Sequence, residues 1–357
     1  MMERVVLSLM LLLTGVGVVL AQDGEVLATG LNNPRNLFFD VDGTLYIAEA
    51  GTAGKDTVAN PSGFGDVPLG YTAQITTVSP DGKQSVFMAE FQSLELSHGP
   101  IVGLHAVHLT PENMYIAFGQ GRTPGGPTSP QDLPMNGIAV VNRTDLYVNN
   151  YIDLFSYEED NNPDEGEELG SNPMDFAFSS DDSIMYVADA SANAVLKWTE
   201  EEGLSTFVVW KVEADTSPSV PTTVAVSSNG DVYVGFLTGY PFAPKTSRIE
   251  HYNAEGELLT AYDGLSFVTD ILLASDGSLY AVEMATGYKD DAEFDFGFLP
   301  NTGRVVKVTE DEIIPMVTAL NYPYGIAQKP SGEIYVTVNS FFSEVNSGQV
   351  VRINTDQ

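Results

Sequence analysis

The sequence contains no cysteine, which excludes disulfide bonds, thiolate metal sites and a cysteine nucleophile. Basic residues are also few: 15 lysines and arginines stand against 49 aspartates and glutamates, which gives a formal net charge of −34. Nucleic acids and anionic membranes bind to cationic patches, so we expect neither as a partner. A charge of this size keeps a protein soluble and monomeric, and it also suits cations or basic proteins as partners.

Long hydrophobic runs are missing except at the N-terminus, which reads MMERVVLSLMLLLTGVGVVLAQDGE. A basic residue precedes an apolar run at positions 5–20, and Ala21 occupies a small-residue position before a cleavage site. We therefore predict a secretory signal at residues 1–21 and one mature domain at residues 22–357. The alternative is an uncleaved run that serves as a short membrane anchor. With cleavage, the chain is expected to be exported to the periplasm, the cell surface or the medium, with no membrane span.

Six segments of the chain repeat one pattern: an apolar strand, a short turn, and a second strand with a tyrosine. The tyrosines are Tyr46, Tyr115, Tyr186, Tyr233, Tyr280 and Tyr335. Four of the six turns contain Asp-Gly, Asn-Gly or Ser-Gly, which are typical of β-hairpins. Consecutive tyrosines lie as close as 47 residues apart (186 to 233 and 233 to 280), a period typical of propeller blades. Since six identical reactive groups would serve no chemistry, we expect the tyrosines to pack between blades.

Each segment continues with two further strands, so the repeating unit has four. The sixth unit ends after its third strand, GQVVRINTDQ, and the segment GEVLATGL at positions 24–31 offers the missing fourth. Pairing these two segments would close a ring and remove the exposed sheet edges. The sequence therefore predicts an all-β fold, a six-bladed β-propeller with essentially no helix, whose N-terminal strand completes the last blade.

The irregular segments all fall on one face of the predicted propeller. In a four-stranded meander, the first and third turns lie on one face and the remaining connections lie on the other, which we call the loop face. Every long insertion belongs to the loop face: 51–72, 119–135, 237–246 and 285–302 within blades, and 91–102, 157–172 and 211–220 between blades. Irregular loops on a rigid scaffold usually carry function, so we expect a ligand to bind at this mouth of the channel.

Residues at the start of the innermost strands are expected to face the channel, because alternate residues of a strand point the same way. They are Asn36, His105, Asp175, Thr223 and Asp270, with Gly325 in the sixth blade. The second strands of blades 1, 3 and 5 end with Glu49, Asp189 and Glu283, which predicts an acidic mouth.

Two aromatic segments of the loop face are candidates for contact with a ligand. In the loop LTGYPF, the candidate residues are Tyr240 and Phe242. The alternating phenylalanines of KDDAEFDFGFLP, at positions 289–300, are expected to form either a ligand platform or a lid packed on the ring.

A divalent cation is one interpretation of the channel residues. Asp175, Asp270 and Asn36 offer the oxygen ligands that Ca²⁺ or Mg²⁺ prefers, and His105 could add a nitrogen ligand or act as a base. The alternative is a wet channel whose polar residues bind ordered water, with no cofactor. The acidic segment SYEEDNNPDEGEEL, at positions 156–169, lacks the spacing of a calcium loop and is expected to be a mobile loop.

The segments NPRNLFFDVDGTLYIAEAG, VPTTVAVSSNGDVYVGFLTGYPF and YPYGIAQKPSGEIYVTVNS resemble the ScyD/ScyE family of exported NHL-like propellers. The resemblance spans nearly the whole mature chain. It implies a propeller of the NHL/SMP-30-like kind and export, and it implies no established reaction. Phe236 departs from the family pattern, in which a glutamate is expected at this position.

A more distant resemblance is to the gluconolactonase and senescence-marker propellers, which are hydrolases with a metal in the channel. Their metal-binding pattern does not transfer to this chain. Blade 1 offers Asn36 without a nearby glutamate, and Thr269 takes the place that matches their aspartate.

The sequence favours a non-catalytic binding protein that holds a small molecule, a glycan or a protein at the loop face. The alternative is a metal-dependent hydrolase of lactones or esters, with Asp175, Asp270 and Asn36 holding the ion and His105 as the base. A structural role in an exported assembly is a third hypothesis. The sequence contains no serine nucleophile elbow, no glycine-rich phosphate loop and no zinc spacing of histidines.

Overall fold

The computed structural model describes residues 25–59, 66–96, 99–121, 133–167, 169–212, 216–289 and 297–355. These residues form six antiparallel sheets arranged as the blades of a β-propeller, which confirms the predicted fold. The predicted signal at residues 1–21 lies outside the described residues, as do Phe294 and Phe296 of the aromatic segment. Within the described part of the chain, no helix is long and apolar enough to span a membrane.

The strands are numbered along the chain. The first, β1 (Val26–Leu31), precedes the strands of blade 1, which are β2 (Pro34–Phe39), β3 (Leu45–Glu49), β4 (Asp56–Ala59), β5 (Asp66–Val78), β6 (Gln84–Glu95) and β7 (Ile101–Val102). Blade 2 contains β8 (Leu104–Leu109), β9 (Asn113–Phe118), β10 (Gly137–Asn142) and β11 (Val148–Asp153), and blade 3 contains β12 (Pro173–Phe178), β13 (Met185–Asp189), β14 (Ala194–Thr199) and β15 (Gly203–Val209).

The remaining blades follow the same plan. Blade 4 contains β16 (Pro221–Val226), β17 (Val232–Phe236), β18 (Ser247–Tyr252) and β19 (Leu258–Leu265), and blade 5 contains β20 (Val268–Leu273), β21 (Leu279–Glu283), β22 (Gly303–Val308) and β23 (Ile313–Leu320). Blade 6 contains β24 (Ile326–Gln328), β25 (Ile334–Val338) and β26 (Gly348–Ile353). The first strand of each blade is innermost, and these inner strands contact one another around the ring.

The hairpin between the first two strands of blade 4 shows why these segments fold locally. Gly230 adopts a φ of 91°, which glycine reaches without steric cost, and its N–H donates to the carbonyl of Ser227 at 2.9 Å. Val224 and Val234, on the two strands, face each other in the ladder and are both buried. Turn chemistry and alternation of apolar residues therefore specify this hairpin.

The ring closes as predicted, through the N-terminal strand. β1 pairs antiparallel with β26, with Val26 opposite Val351 and Leu31 opposite Gly348. Blade 6 thus takes its outer strand from the opposite end of the chain. Its four strands lie in the order β1, β26, β25, β24.

The prediction that the repeated tyrosines pack between blades is confirmed. Tyr115 of blade 2 lies with its ring centroid 4.7 Å from that of Phe178 in blade 3. Tyr335 of blade 6 lies 5.4 Å from Phe39 in blade 1. Tyr186 likewise belongs to a buried cluster made mainly of blade 4 residues. The repeat thus marks the contacts between blades rather than a site.

Two insertions of blade 1 are β structure, although the repeat predicts irregular loops there. β4 pairs with the beginning of β5, with Asp56 opposite Leu69. β6 continues to Glu95, which lies opposite Ile101 of β7. Blade 1 therefore extends farther on the loop face than its sister blades.

One prediction about the acidic segment is wrong, because it begins as a helix rather than a mobile loop. Helix α1 covers Leu154–Asn161, and the Asp153 side chain caps it by accepting the Ser156 N–H at 3.0 Å. Leu154 and Glu158 are buried against the ring. Burial, with the Asp189 and Asp164 carboxylates nearby, raises the pKa of Glu158 to about 7.

Candidate functional site

The inner strands enter the channel at the loop face with an irregular register. In blades 1 to 5, the pairing of the first two strands shifts within the first residues of the inner strand. Such bulges re-aim side chains locally, so two consecutive residues can point inward. Thr222 and Thr223 of blade 4 illustrate this, since one lines a cavity at the mouth and the other binds to channel carboxylates.

Four of the predicted channel residues come together as a hydrogen-bonded set, which we call the channel cluster: Asn36, Asp175, Thr223 and Asp270. Thr223 Oγ1 lies 2.9 Å from Asp175 Oδ2 and 2.9 Å from Asp270 Oδ1. Asn36 Nδ2 lies 3.4 Å from Asp175 Oδ1. The three residues Asp175, Thr223 and Asp270 are buried.

A single proton on Thr223 cannot serve both carboxylates. A hydroxyl donates one hydrogen bond, so the second short contact requires a proton on a carboxyl group. Burial raises the pKa of Asp175 to about 6, and burial together with the Asp175 charge raises the pKa of Asp270 well above its ordinary value. Both shifts favour a proton shared within the cluster: with a proton on Asp270, its carboxyl group can donate to Thr223 while Thr223 donates to Asp175.

The backbone holds these carboxyl groups in place. The Val224 N–H donates to Asp175 Oδ2 at 3.1 Å, and the Ile326 N–H donates to Asp270 Oδ2 at 2.8 Å. Among the described residues, no three histidine, aspartate or glutamate side chains are grouped so as to hold a metal ion. A cation site made of Asp175, Asp270 and Asn36 stays a prediction.

A cavity of about 230 Å³, which we call the mouth cavity, lies where the inner strands begin on the loop face. Its lining is mainly apolar and comes from all six blades. The aromatic and thioether side chains in it are Phe242, Phe298, Tyr324, Phe341, Phe342, Met174 and Met284. The polar side chains in it are Arg35, His105, Gln120, Asn172, Thr222 and Thr269.

Arg35 is fully buried at this cavity. Its Nη1 donates to the Ser340 carbonyl, and its Nη2 donates to the Ile101 carbonyl at 2.7 Å. Its guanidinium carbon lies 3.6 Å from the ring centroid of Phe341 and 5.1 Å from that of Tyr324. Desolvation lowers the pKa of Arg35 to about 10, a value at which the group stays charged.

His105 is separated from the channel cluster and lines the mouth cavity instead. Its Nδ1 lies 3.2 Å from the Pro173 carbonyl, which can only accept a hydrogen bond, so Nδ1 carries the proton and Nε2 is an acceptor. Burial and the Arg35 charge lower the pKa of His105 to about 3. Gly119 packs directly against the imidazole, because a Cβ at that position would lie 2.6 Å from Nε2.

The prediction of an acidic mouth made of Glu49, Asp189 and Glu283 is wrong. All three side chains are fully buried, and none lines the mouth cavity. Each binds the backbone just before its own blade's inner strand, since the N–H groups of Asn32, Asn172 and Ser266 donate to them at 2.6, 2.7 and 2.6 Å, respectively. These acids fix the connections between blades.

Of the two aromatic candidates of blade 4, one lines the mouth cavity and the other does not. Phe242 lines the mouth cavity, with its ring centroid 5.2 Å from that of Phe298. Tyr240 is 62% exposed and meets only the edge of Phe242, at 6.1 Å, so it lies outside the lining. Of the alternative predictions for the segment 289–300, packing on the ring fits Phe298, which is buried against Phe267.

Sequence reasoning missed Arg35, Met174, Thr222, Thr269 and Tyr324, which line the mouth cavity one position before the predicted channel residues. Strict alternation along a strand assigns those positions to the opposite face, and in blades 1, 3, 4 and 5 the register shifts change that assignment. One signal was available. Arg35 is one of only 15 basic residues, and the rest of its strand, PRNLFF, is apolar except for Asn36.

Comparison with solved structures gives the same fold. The chain is similar to a streptogramin B lyase, at 11% identity and a TM-score of 0.50 over 93% of this chain and 97% of that one. A luciferin-regenerating enzyme matches at 9% identity and a TM-score of 0.52 over 92% and 94% of the two chains. A catalytically inactive virginiamycin B lyase from Staphylococcus aureus, solved with quinupristin, matches at 12% identity and a TM-score of 0.51, over 93% of this chain and 98% of that one.

These structures share the NHL/SMP-30-like six-bladed propeller with this chain. At such low identity the likeness concerns the fold alone, and the named enzymes include both lyases and a luciferin-regenerating enzyme. No family model matches the chain. No curated protein matches it either.

Proposed function

We propose that this protein is an exported propeller of the ScyD/ScyE type that binds a small, largely aromatic molecule in the mouth cavity without catalysing a reaction. The observation that carries the proposal is the cavity itself. It holds about 230 Å³, somewhat less than the usual pocket for a drug-sized ligand, so a molecule with one or two rings suits it.

The aromatic lining is preorganised. Phe242, Phe298 and Phe341 come from the loops of three different blades. Phe298 is held by the ring of Phe267, at 5.0 Å, and its carbonyl accepts a hydrogen bond from Tyr322 Oη at 2.8 Å. Rings fixed before binding lose little conformational entropy when a ligand arrives, which favours affinity.

The chemistry of the polar groups favours binding over hydrolysis. A general base works best with a pKa near the operating pH, whereas burial and the Arg35 charge lower the pKa of His105 to about 3. The carboxyl oxygens of Asp175 and Asp270 already accept backbone N–H groups. A glycan would need many polar partners, and a mainly apolar cavity of this size offers few.

The proposal is tested by calorimetric titration of the purified protein with 2-naphthamide, a neutral two-ring probe. We expect saturable binding at one site. Met174→Trp should fill the mouth cavity and thereby abolish the binding of 2-naphthamide. Val41→Trp adds the same ring at a 93% exposed position in a turn on the opposite face and should leave binding unchanged. An equal loss of binding in both variants would contradict the proposal. So would a wild-type protein that binds neither 2-naphthamide nor its carboxylate analogue.

A further inference from the structure

Arg35 is the one charged side chain among the described residues that line the mouth cavity, since His105 is neutral there. The guanidinium has five N–H groups. Hydrogen bonds are formed by Nη1 and Nη2, and both acceptors are backbone carbonyls. Nε has no hydrogen-bond partner among the described residues.

Charges buried in proteins are normally paired, because removing an ion from water costs several kcal/mol. No carboxylate among the described residues pairs with Arg35: the two side chains over its faces are Phe341 and Tyr324. Carbonyl groups and aromatic faces stabilise a cation without neutralising it. The cavity is therefore arranged around a positive charge whose counter-ion is not supplied by the described part of the chain.

We propose that the ligand of the mouth cavity is a small aromatic carboxylate, whose anionic group pairs with Arg35 while its rings lie among the phenylalanines. This inference rests on the proposed function and adds the chemical class of the ligand. A guanidinium matches the planar carboxylate and forms its strongest hydrogen bonds with charged oxygens.

Two neighbours fit the same ligand class. The buried hydroxyl of Tyr324 finds no hydrogen-bond partner in the described part of the chain, and it can donate to a carboxylate oxygen. His105 presents an unprotonated Nε2, so it adds no second positive charge. One net positive charge matches a monoanion better than a phosphate monoester, which carries nearly two negative charges at neutral pH.

The channel cluster does not take the place of this anion. Asp175 accepts from Thr223 and Val224, and Asp270 accepts from Ile271 and Ile326. Neither carboxyl group has a hydrogen bond or an ion pair with Arg35. Both carboxyl groups are thus occupied by hydrogen bonds from their own surroundings.

The test compares 2-naphthoate with 2-naphthamide, which has the same rings and no charge. In the wild-type protein we expect 2-naphthoate to bind at least tenfold more tightly. In Arg35→Gln this preference should fall to about one, because the amide side chain retains hydrogen bonding and loses the charge. Arg143→Gln is the matched control: Arg143 pairs with Asp40 away from the cavity, so the preference should persist.

The outcomes separate the two proposals. If both probes bind the wild-type protein equally, or the amide binds more tightly, the anionic ligand is excluded while an aromatic-binding cavity stands. If neither probe binds, both proposals fall. If Arg35→Gln does not fold, Tyr324→Phe decides: it removes one hydroxyl, should reduce the preference severalfold, and would contradict the inference by leaving it unchanged.

Discussion

The guanidinium carbon of Arg35 lies 3.6 Å from the ring centroid of Phe341. At this distance the aromatic ring forms a cation–π contact with the buried guanidinium. An acidic side chain would be the usual partner of a buried cation. A desolvated cation–π contact contributes roughly 2 kcal/mol, and the ring also excludes water from the charge. The pair thus presents a charged group to the mouth cavity in a fixed orientation.

Replacing Phe341 should destabilise the protein. Phe341→Leu keeps an apolar side chain and removes the aromatic face, so we expect a loss of about 1–3 kcal/mol in the free energy of unfolding. Urea denaturation followed by circular dichroism measures it. Phe342→Leu is the control, because Phe342 is 37% exposed and does not lie over the guanidinium. An equal effect in the two variants would contradict a special role for Phe341.

Thr223→Val should destabilise the channel cluster. Valine keeps the shape and deletes the hydroxyl that joins Asp175 to Asp270, at an expected cost of roughly 1–3 kcal/mol at pH 7. The cost should be smaller at pH 4, where both carboxyl groups are protonated. Thr222→Val, which deletes a hydroxyl bound to the Val268 carbonyl, is the matched control and should show no such pH dependence.

The channel cluster also predicts how stability varies with pH. Burial raises the pKa of Asp175 from 3.8 to about 6, and that of Asp270 is raised as well, so the folded state binds more protons than the unfolded state. The contribution of Asp175 is therefore complete below pH 3.8 and is lost as the pH rises through about 6, and the raised pKa of Asp270 adds a loss in the same direction.

Asp270→Asn removes one of the two titrating groups, so the fall in stability between pH 4 and pH 7 should be smaller than in the wild-type protein. Denaturation midpoints at several pH values measure this. Asp276→Asn makes the same change in an exposed turn whose hydrogen bonds lower the pKa of the aspartate, and it should retain the wild-type fall. A parallel profile for Asp270→Asn and the wild type would refute the assignment.

Gly119→Ala should disturb the mouth cavity through His105. The added Cβ would lie 2.4 Å from Cε1 of the imidazole, so the ring must move. We expect a cost of about 1–3 kcal/mol from overpacking and weaker binding of 2-naphthamide. In a His105→Ala background the same methyl group has room, so its stability cost should nearly vanish. A cost that is equal in both backgrounds would show that the clash lies elsewhere.

Metal removal tests the alternative hydrolase. Since no three histidine, aspartate or glutamate side chains of the described residues are grouped to hold a metal ion, we expect EDTA to leave the melting temperature unchanged and a panel of lactones to remain uncleaved with or without Ca²⁺. Elemental analysis that found one divalent ion per chain, lost in Asp175→Asn, would instead support the predicted cation site.

The six blades were predictable because their signals are local. Hairpin turns such as the one at Gly230, and the alternation of apolar residues beside them, depend on near neighbours in the sequence. The cavity lining depends on where the inner strand shifts its pairing with the second strand, and the alternation of residues does not reveal that position. The assumption of strict alternation therefore identified Thr223 and Asp270 as channel residues but missed Thr222 and Thr269, which line the mouth cavity.

Helix α1 was missed for a related reason. Its sequence is acidic, so composition alone indicates a solvated loop, whereas the helix is stabilised by the Asp153 cap and by burial of Leu154 against blades 2 and 3. Likewise, Glu49 carries a charge that suggests exposure, yet its carboxylate accepts three hydrogen bonds inside blade 1, from Asn32, Gln74 and Thr76. Tertiary partners decide both cases.

The pairing of β1 with β26 also constrains the order of folding. Leu31 meets Gly348, its partner 317 positions later (348 − 31), so during synthesis the first strand waits unpaired until nearly the whole chain exists. Contacts of such large sequence separation form slowly, because a long loop must close before they contribute. We therefore expect ring closure to be a late step of folding, after the strands that lie near one another in the sequence have paired.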